Sequence, residues 1–417
     1  MRGEGAGTVV VGGGIIGAMC AWYLARAGER VCLVDRDRFG GGCSHGNCGY
    51  VCPSHVLPLT QPGTIRKTLA TMLRRDAPFH VRPAWSPQLW AWLWRFARRC
   101  NERDMLAAAD SLHRLLQSSR DLYAELIADE RLDCEWQTSG LLLAFRDPRE
   151  FRRHEATHRL IEHRYGLAAR PLEGDQVVGF EPALIEGLGG GWYYDCDSHL
   201  RPDKLLREMR RLLLAAGVRI VEHCAVRGFR TVGERVAAVE TSGEGVVAAE
   251  RVVVACGALT PFLNEQAGCR VAIQPGKGYS LTMPRPAICP RRPLVLEERS
   301  VAITPMDSGY RIGSTMEFAG YDSTLDPRRL RLLTDGARAY LREPLADPVQ
   351  ETWFGWRPMT WDSLPYIGRS PRYANVWVAA GHNMLGLSLA TATGRLAAEL
   401  ATGRPPHLDV RPLRLDR

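Results

Sequence analysis

Lysine is almost missing from this chain. Of 54 Lys and Arg residues only Lys67, Lys204 and Lys277 are lysine, so the net charge of +8 rests on arginine. The arginines are scattered among 46 acidic residues and form no basic run that could track a phosphate backbone, which excludes a nucleic-acid partner. No apolar run approaches the ~20 residues that cross a bilayer, so no spanning segment is predicted. The twelve cysteines contain no CxxC pair. Cys43, Cys48 and Cys52 lack both a fourth ligand and the spacing of a metal or iron–sulfur site, so they read as small residues of a tight loop and no metal is expected. With no secretory leader ahead of the first apolar run, the expectation is a reducing cytoplasm and free thiols. The rest is ordinary: 417 residues, 45% hydrophobic and 24% charged, can bury a large core and divide into two or three domains.

Residues 8–35 organise the chain. An apolar run (Val9, Val10, Val11) leads into Gly12, Gly14 and Gly17, then an apolar-periodic segment, then a second run from Val31 to Val34 closed by Asp35. That order predicts strand, glycine turn, helix and strand, the pattern of a dinucleotide site. Gly12 makes the turn, Gly14 lets the main chain approach a pyrophosphate beside Ile15 and Ile16, and Gly17 lets the helix lie close to the sheet. The helix N-terminus favours the phosphates' negative charge. Asp35, next to Arg36, is placed to accept from a ribose diol and disfavours a 2′-phosphate, which makes NADP the least suited ligand.

The glycine-rich loop 40–49 follows, with Cys43, Ser44, Asn47 and Gly49 suited to close packing on a ligand. Prolines then break the chain into a crossover with one short helix at 65–74. Residues 85–101 combine Trp85, Trp90, Trp92, Trp94 and Phe96 with Arg95, Arg98 and Arg99. Such a helix either packs on its own domain, the preferred reading, or lies on a membrane interface. A helix at 107–129, a strand at 136–145, a charged helix at 147–165 and a helix at 205–217 are predicted next. Strands at 218–221, 226–231, 235–241 and 246–249 precede 252–258, a buried parallel strand ending in Gly257 that should rejoin the first sheet. Later strands fall at 278–283, 301–305 and 310–316, with a helix at 327–341. The strand 376–380 opens through Gly381 to Gly386 onto a helix at 387–401. Three glycine turns, at Gly12, Gly257 and Gly381, thus converge on one sheet edge. That is more polar main chain than NAD requires and argues for a longer ligand such as FAD.

These features carry a resemblance. The glycine turn, residues 43–49 (CSHGNCG), 275–282 (PGKGYSLT), 357–360 (RPMT) and 381–386 (GHNMLG) resemble the flavoprotein family of D-amino-acid dehydrogenases, glycine oxidase and sarcosine oxidase over residues 8–402. Residues 57–79 and 301–304, with 313–320 containing Glu317 and Phe318, are similar to the D-amino-acid dehydrogenase branch. The resemblance implies an α/β fold: a doubly wound, Rossmann-like FAD-binding domain (1–57, 197–275 and 350–417) and a substrate domain of antiparallel sheet plus helices (58–196 and 276–349). It implies FAD held by Gly12, Gly14, Gly17, Asp35, Ser44, Asn47, Gly49, Val226 and Gly257. His382, Asn383, Met384, Leu385, Gly386 and Leu387 would lie along the flavin ring, and Arg357 would clamp the substrate carboxylate, a task its fork suits better than lysine would. Tyr279 either faces the substrate or packs in the sheet.

The implied activity is oxidation of a D-amino or imino acid by hydride transfer to FAD, the carboxylate held by Arg357. Glycine oxidases carry a tyrosine where Ala302 stands and an arginine where Met384 stands. Their absence points to a wider, more apolar pocket, and Trp361, standing where the dehydrogenase branch often has Pro, reshapes the wall near Asp362; with the Trp-rich, arginine-poor pocket edge this points to a cyclic substrate such as D-proline or D-hydroxyproline. The electrons would pass to a quinone or an electron-transfer subunit. An oxidase using O2, and an FAD-binding subunit of a larger dehydrogenase complex, are the alternatives. The expected location is cytoplasmic or peripheral on the inner face of the cell membrane, through residues 85–101.

Overall fold

The computed structural model describes residues 6–69, 77, 79–82 and 86–417. Trp85 and part of the predicted helix at 65–74 lie outside them; within them that helix runs Thr64–Leu69.

The valine runs form the centre of an eight-stranded sheet. Ala6–Val11 pairs in parallel with Val31–Val34 on one side and with Val246–Val254 on the other. Arg219–Val221 extends the first side and Val376–Ala380 the second, both parallel. Alternate side chains leave opposite faces of a strand, and here both faces are covered. Val10, Leu33 and Val253 pack under the helices Ile15–Arg26, Pro202–Ala215 and Ala390–Ala401, while Val9, Val11, Val34, Val252 and Val254 fill a second core on the other side. A strand buried on both faces has no polar alternation, which is why these runs read as continuously apolar. Each buried valine contributes roughly 1.5–3 kcal/mol.

A second, nine-stranded and mostly antiparallel sheet stands against the first. Ile273–Met283 lies next to its edge strand Glu351–Thr360 and is flanked on the other side by Gly309–Phe318. The register from Ile273 opposite Thr360 to Thr282 opposite Glu351 puts residues 351–360 wholly in this sheet. The predicted division at 350 is therefore corrected: the chain returns to the first sheet only with Tyr366–Arg369, an antiparallel strand on Val376–Ala380. The aromatic pattern of 351–360 says "strand" without saying which sheet, and pairing with Ile273–Met283 decides it.

Other boundaries move for local reasons. The helix predicted at 107–129 starts at Glu102, because Asn101 accepts from the Asp104 N–H and caps it. The charged helix at 147–165 is two, Pro148–Arg153 and Glu155–Tyr165, joined at His154. The strands predicted at 246–249 and 252–258 are one continuous strand ending at Val254. The last helix begins at Ala390, not 387, with turns filling 383–389.

Candidate active site

The parallel strands Ala6–Val11, Val31–Val34, Val246–Val254 and Val376–Ala380 all end at one edge of the first sheet. The chain leaves that edge through Gly12, Asp35, Cys256–Gly257 and Gly381, so the three glycine turns do converge. Between this edge and the second sheet lies a cavity of about 900 Å³, in the upper part of the range for small-molecule sites, roughly 300–1,000 Å³.

Gly12 has φ +108°, and a Cβ there would lie 2.6 Å from the Ala255 carbonyl oxygen. A Cβ at Gly17 would lie 1.8 Å from the Gly12 carbonyl oxygen, so only glycine lets the helix meet the strand this closely. At Gly14 the nearest atom is the Ser44 Oγ at 3.5 Å, leaving the main chain open to the cavity. Ser44 Oγ accepts from the Ile15 N–H at 3.1 Å, tying the loop 40–49 to the helix N-terminus. Asp35 Oδ2 accepts from the Gly13 N–H at 2.5 Å and Oδ1 from the Asp37 N–H at 2.7 Å, fixing the carboxyl at the strand end. Burial pushes the Asp35 carboxyl up from its ordinary value despite those donors. Open first-turn N–H groups, a close-approach glycine and a terminal carboxylate fit an adenine dinucleotide's diphosphate and ribose.

Of the residues singled out in the sequence, Gly12, Gly14, Ile15, Ile16, Asp35, Arg36, Cys43, Ser44, Asn47, Val226, Gly257, Arg357 and 382–387 all line the cavity, as does Tyr279. Gly49 does not. Its φ of +82° and the Leu200 carbonyl oxygen, 2.0 Å from where its Cβ would be, show a glycine kept for packing. Tyr279 is buried with its hydroxyl donating to Glu317 Oε2 at 2.9 Å, so its polar end is occupied by the neighbouring strand. His382 is buried, its Nε2 lies 3.0 Å from Thr393 Oγ1, and burial pulls its pKa down to about 3, which leaves a neutral ring and no proton carrier near pH 7. Asn383 locks the 381–386 turn to the second sheet: its Oδ1 accepts from the Thr360 N–H at 2.8 Å and its own N–H donates to the Pro358 carbonyl at 3.0 Å.

Arg357 enters from the second sheet. Its guanidinium lies over Gly278, where a Cβ would be 2.4 Å from Cζ, and its Nη1 donates to the Thr315 carbonyl at 2.5 Å. Among the described residues it has no carboxylate partner. Burial pushes the Cys43 thiol up to about 11 and raises Cys48 as well, so neither is a ready thiolate.

Sequence reading missed three features. Arg311 is 1% exposed in the middle of a strand and donates to the carbonyl oxygens of His45 (3.1 Å) and Asn47 (2.8 Å), stapling the glycine loop to the second sheet. An arginine inside an apolar strand was the available signal, since it must find partners. Cys52, His55 and Asp197 bring their donor atoms within 4.8 Å of one another, and Asp197 accepts from the Ser54 hydroxyl at 2.5 Å. Asp197 lies far from the loop in sequence, so spacing could not find it. Glu297, on a tight turn, lines the cavity.

A parallel sheet with glycine turns around a long cavity, faced by an antiparallel sheet that sends in an arginine, defines a two-domain flavoprotein oxidoreductase. The chain belongs to the FAD dependent oxidoreductase (DAO) family, whose model matches residues 8–400, and FAD is its cofactor. It is 35% identical to the D-amino acid dehydrogenase of Paramagnetospirillum magneticum, over 98% of both chains. It is 31% identical to that of Granulibacter bethesdensis, over 98% of this chain and 99% of that one. Glycine oxidase from Geobacillus kaustophilus has the same fold at a TM-score of 0.80 and 22% identity, covering 99% of this chain and 98% of that chain. L-Proline dehydrogenase from P. horikoshii aligns at a TM-score of 0.73 and 19% identity, covering 99% and 97%.

Proposed function

We propose that this chain oxidises a D-amino or cyclic imino acid, with D-proline or D-hydroxyproline as the preferred type of substrate, and passes the electrons to a quinone or other acceptor. The observation that carries the reading is Arg357, a guanidinium held in the cavity without a carboxylate of its own. A planar fork of this kind takes a carboxylate through two parallel charge-assisted hydrogen bonds. The D configuration rests on likeness to the D-amino acid dehydrogenases. Support for a cyclic substrate comes from Ala302, Phe354 and Trp356 on the cavity wall, which leave room and apolar surface for a ring.

FAD, when bound, supplies the two-electron oxidation. The protein's part is binding and orientation. Gly12, Gly14, Ile15 and Ile16 would hold the diphosphate, with Gly17 allowing the turn; Asp35 and Arg36 would hold the ribose end. Cys43, Ser44, Asn47, Val226, Gly257 and residues 382–387 would line the rest. Arg357 fixes the carboxylate and so directs the α-carbon's hydrogen, and the aromatic wall keeps water from the reacting centre. Orientation of this kind supplies roughly 7–11 kcal/mol of the barrier reduction, so no strong base is needed. Tyr279 packs rather than reacts, and the imine product hydrolyses in water.

The domain division is proposed as 1–57, 197–272 and 361–417 for FAD and the intervening segments for substrate. The helix Pro87–Arg99 buries Leu89 and Trp92 against its own domain, while Trp90 and Trp94 are half or more exposed. No described helix is long and apolar enough to cross a membrane. A peripheral contact through those two tryptophans and Arg95 and Arg98 would bring the enzyme to a membrane quinone.

Anaerobic mixing of the yellow protein with D- and L-amino acids tests the reading. Flavin bleaching should be fastest with D-proline or D-hydroxyproline. Far faster turnover of D-alanine would overturn the cyclic assignment, and peroxide release matching substrate loss would overturn the quinone.

A further inference from the structure

Two glutamates begin the short turn Glu297–Arg299 that joins the strands Leu294–Leu296 and Val301–Met306, and their surroundings differ sharply. Glu298 is fully engaged: Oε1 accepts from the N–H groups of Arg146 (2.8 Å) and Asp147 (3.0 Å), and Oε2 from the Tyr340 hydroxyl. Glu297 lines the cavity and, among the described residues, its carboxyl makes no hydrogen bond or ion pair. Next to it on the cavity wall stand Val295, Ser300, Val301 and Ala302. Ser300 closes the turn in the left-handed region, φ +50°, so the carboxyl's placement comes from a constrained turn and not a loose loop. Burial, with the Glu298 charge adding to it, pushes the Glu297 carboxyl up to about 7.

An unpartnered carboxylate in a partly enclosed cavity is costly unless a ligand completes it. The other charged lining groups are either at the nucleotide edge, where Asp35 to Asp37 sit, or are Arg357 and two histidines. On the second-sheet side the cavity therefore offers one fixed cation, Arg357, and one acid, Glu297, which a cationic ligand would hold in its ionised form. A carboxylate without a cationic nitrogen would satisfy only the first.

We propose that Glu297 is the receptor for a protonated nitrogen of the substrate, so that with Arg357 the cavity selects molecules carrying both a carboxylate and a cationic nitrogen. This deepens the proposed amino-acid oxidation and rests on that reading. The nitrogen is either the α-amino group, which gives its extra proton to Glu297 or to solvent before the α-hydrogen leaves as hydride, or a basic group on the side chain, and the two sources separate experimentally. Glu297→Gln keeps the shape and removes the charge; Glu297→Ala guards against a fault peculiar to glutamine. In FAD-loaded enzyme, kcat/KM is compared for D-lysine and for D-norleucine, which lacks only the terminal ammonium. A loss of tenfold or more with D-lysine and under twofold with D-norleucine assigns the side-chain cation. A loss of tenfold or more with both assigns the α-amino group. Changes under twofold with both overturn the proposal. Calorimetric binding of 6-aminohexanoate and hexanoate gives a readout independent of turnover. Should the wild type oxidise no D-amino acid, the oxidation reading fails by itself; a wild-type preference for 6-aminohexanoate that Glu297→Gln abolishes still supports the receptor, and equal binding of the two acids overturns it.

Discussion

Replacing Gly278 by alanine should disable the proposed carboxylate clamp while leaving the fold and the flavin in place. Gly278 pairs with Gly355 between the edge strand Glu351–Thr360 of the second sheet and its neighbour Ile273–Met283, and Arg357 pairs with Gly276 two residues along. The Arg357 guanidinium fills the space a side chain at 278 would need: a Cβ there would be 2.4 Å from Cζ and 2.5 Å from both terminal nitrogens. Non-bonded carbon contacts settle at roughly 3.5–4.0 Å, so the fork must retreat by about 1 Å or more. Arginine is flexible enough to do this without moving the strands, and alanine suits strand backbone at least as well as glycine. Thermal midpoint and flavin content should therefore stay close to wild type. Catalysis should not, because a misplacement of about 1 Å costs on the order of 10²-fold. Losing one of two charge-assisted hydrogen bonds, about 1.5–3 kcal/mol, corresponds to a similar tenfold to 150-fold drop. Steady-state kcat/KM with the best substrate from the panel is the assay, with Arg357→Lys as reference. Since both changes remove the same fork, the double variant should be little worse than either single one. Wild-type kcat/KM in Gly278→Ala, or losses that simply multiply in the double variant, would refute the placement of Arg357 over the substrate.

Three further outcomes follow from particular contacts. Gly17→Ala drives a Cβ to 1.8 Å from the Gly12 carbonyl oxygen, so the purified protein should be colourless and melt well below wild type; a yellow, stable variant would contradict the turn geometry. Arg311→Met strips the His45 and Asn47 carbonyls of their donor and leaves Asp203 without its 3.5 Å partner. Each carbonyl left without its donor costs about 1–3 kcal/mol, visible as a lower denaturant midpoint and weaker FAD binding on titration. Glu297 carries a pH signature in the FAD-free protein. Its folded pKa of about 7 is above the ordinary 4.5, so the folded chain keeps a proton that the unfolded chain has released. Its contribution therefore falls as pH rises from about 4.5 to 7 and is constant above, a change of at most about 3 kcal/mol. Glu297→Gln should gain on wild type across that window in paired melts, and a constant difference from pH 4 to 8 would count against it.

What the sequence disclosed, and what it withheld, divides by range of interaction. The nucleotide turn was legible because each of its demands is local: Gly12 needs a left-handed φ, Gly17 needs to lack a side chain, and both sit within six residues of the strand Ala6–Val11. The valine runs were legible for the same reason, since burial on both faces leaves its mark in consecutive residues. The final helix was misjudged by three residues, because Leu387 is apolar enough for a helix start while its carbonyl is taken by Tyr123 from another helix, an interaction 264 residues apart. Residues 351–360 were put with the wrong sheet for a comparable reason: strand character is local, but sheet membership depends on a partner some 80 residues away.

The site divides in the same way, with a consequence for how it works. The half that grips FAD is built from local turns, whereas the half facing the substrate depends on long-range placement. Arg357 needs Gly278, the glycine loop needs Arg311, and Glu297 would read as one of two solvated charges on a turn were its neighbour not fully engaged with Arg146, Asp147 and Tyr340. Substitutions in the second sheet can therefore reshape substrate recognition without touching the strand, turn and helix that hold the cofactor. A chain altered at Ala302, Phe354 or Glu297 should stay yellow while its substrate preference moves, whereas any change at Gly12 or Gly17 should cost the colour first.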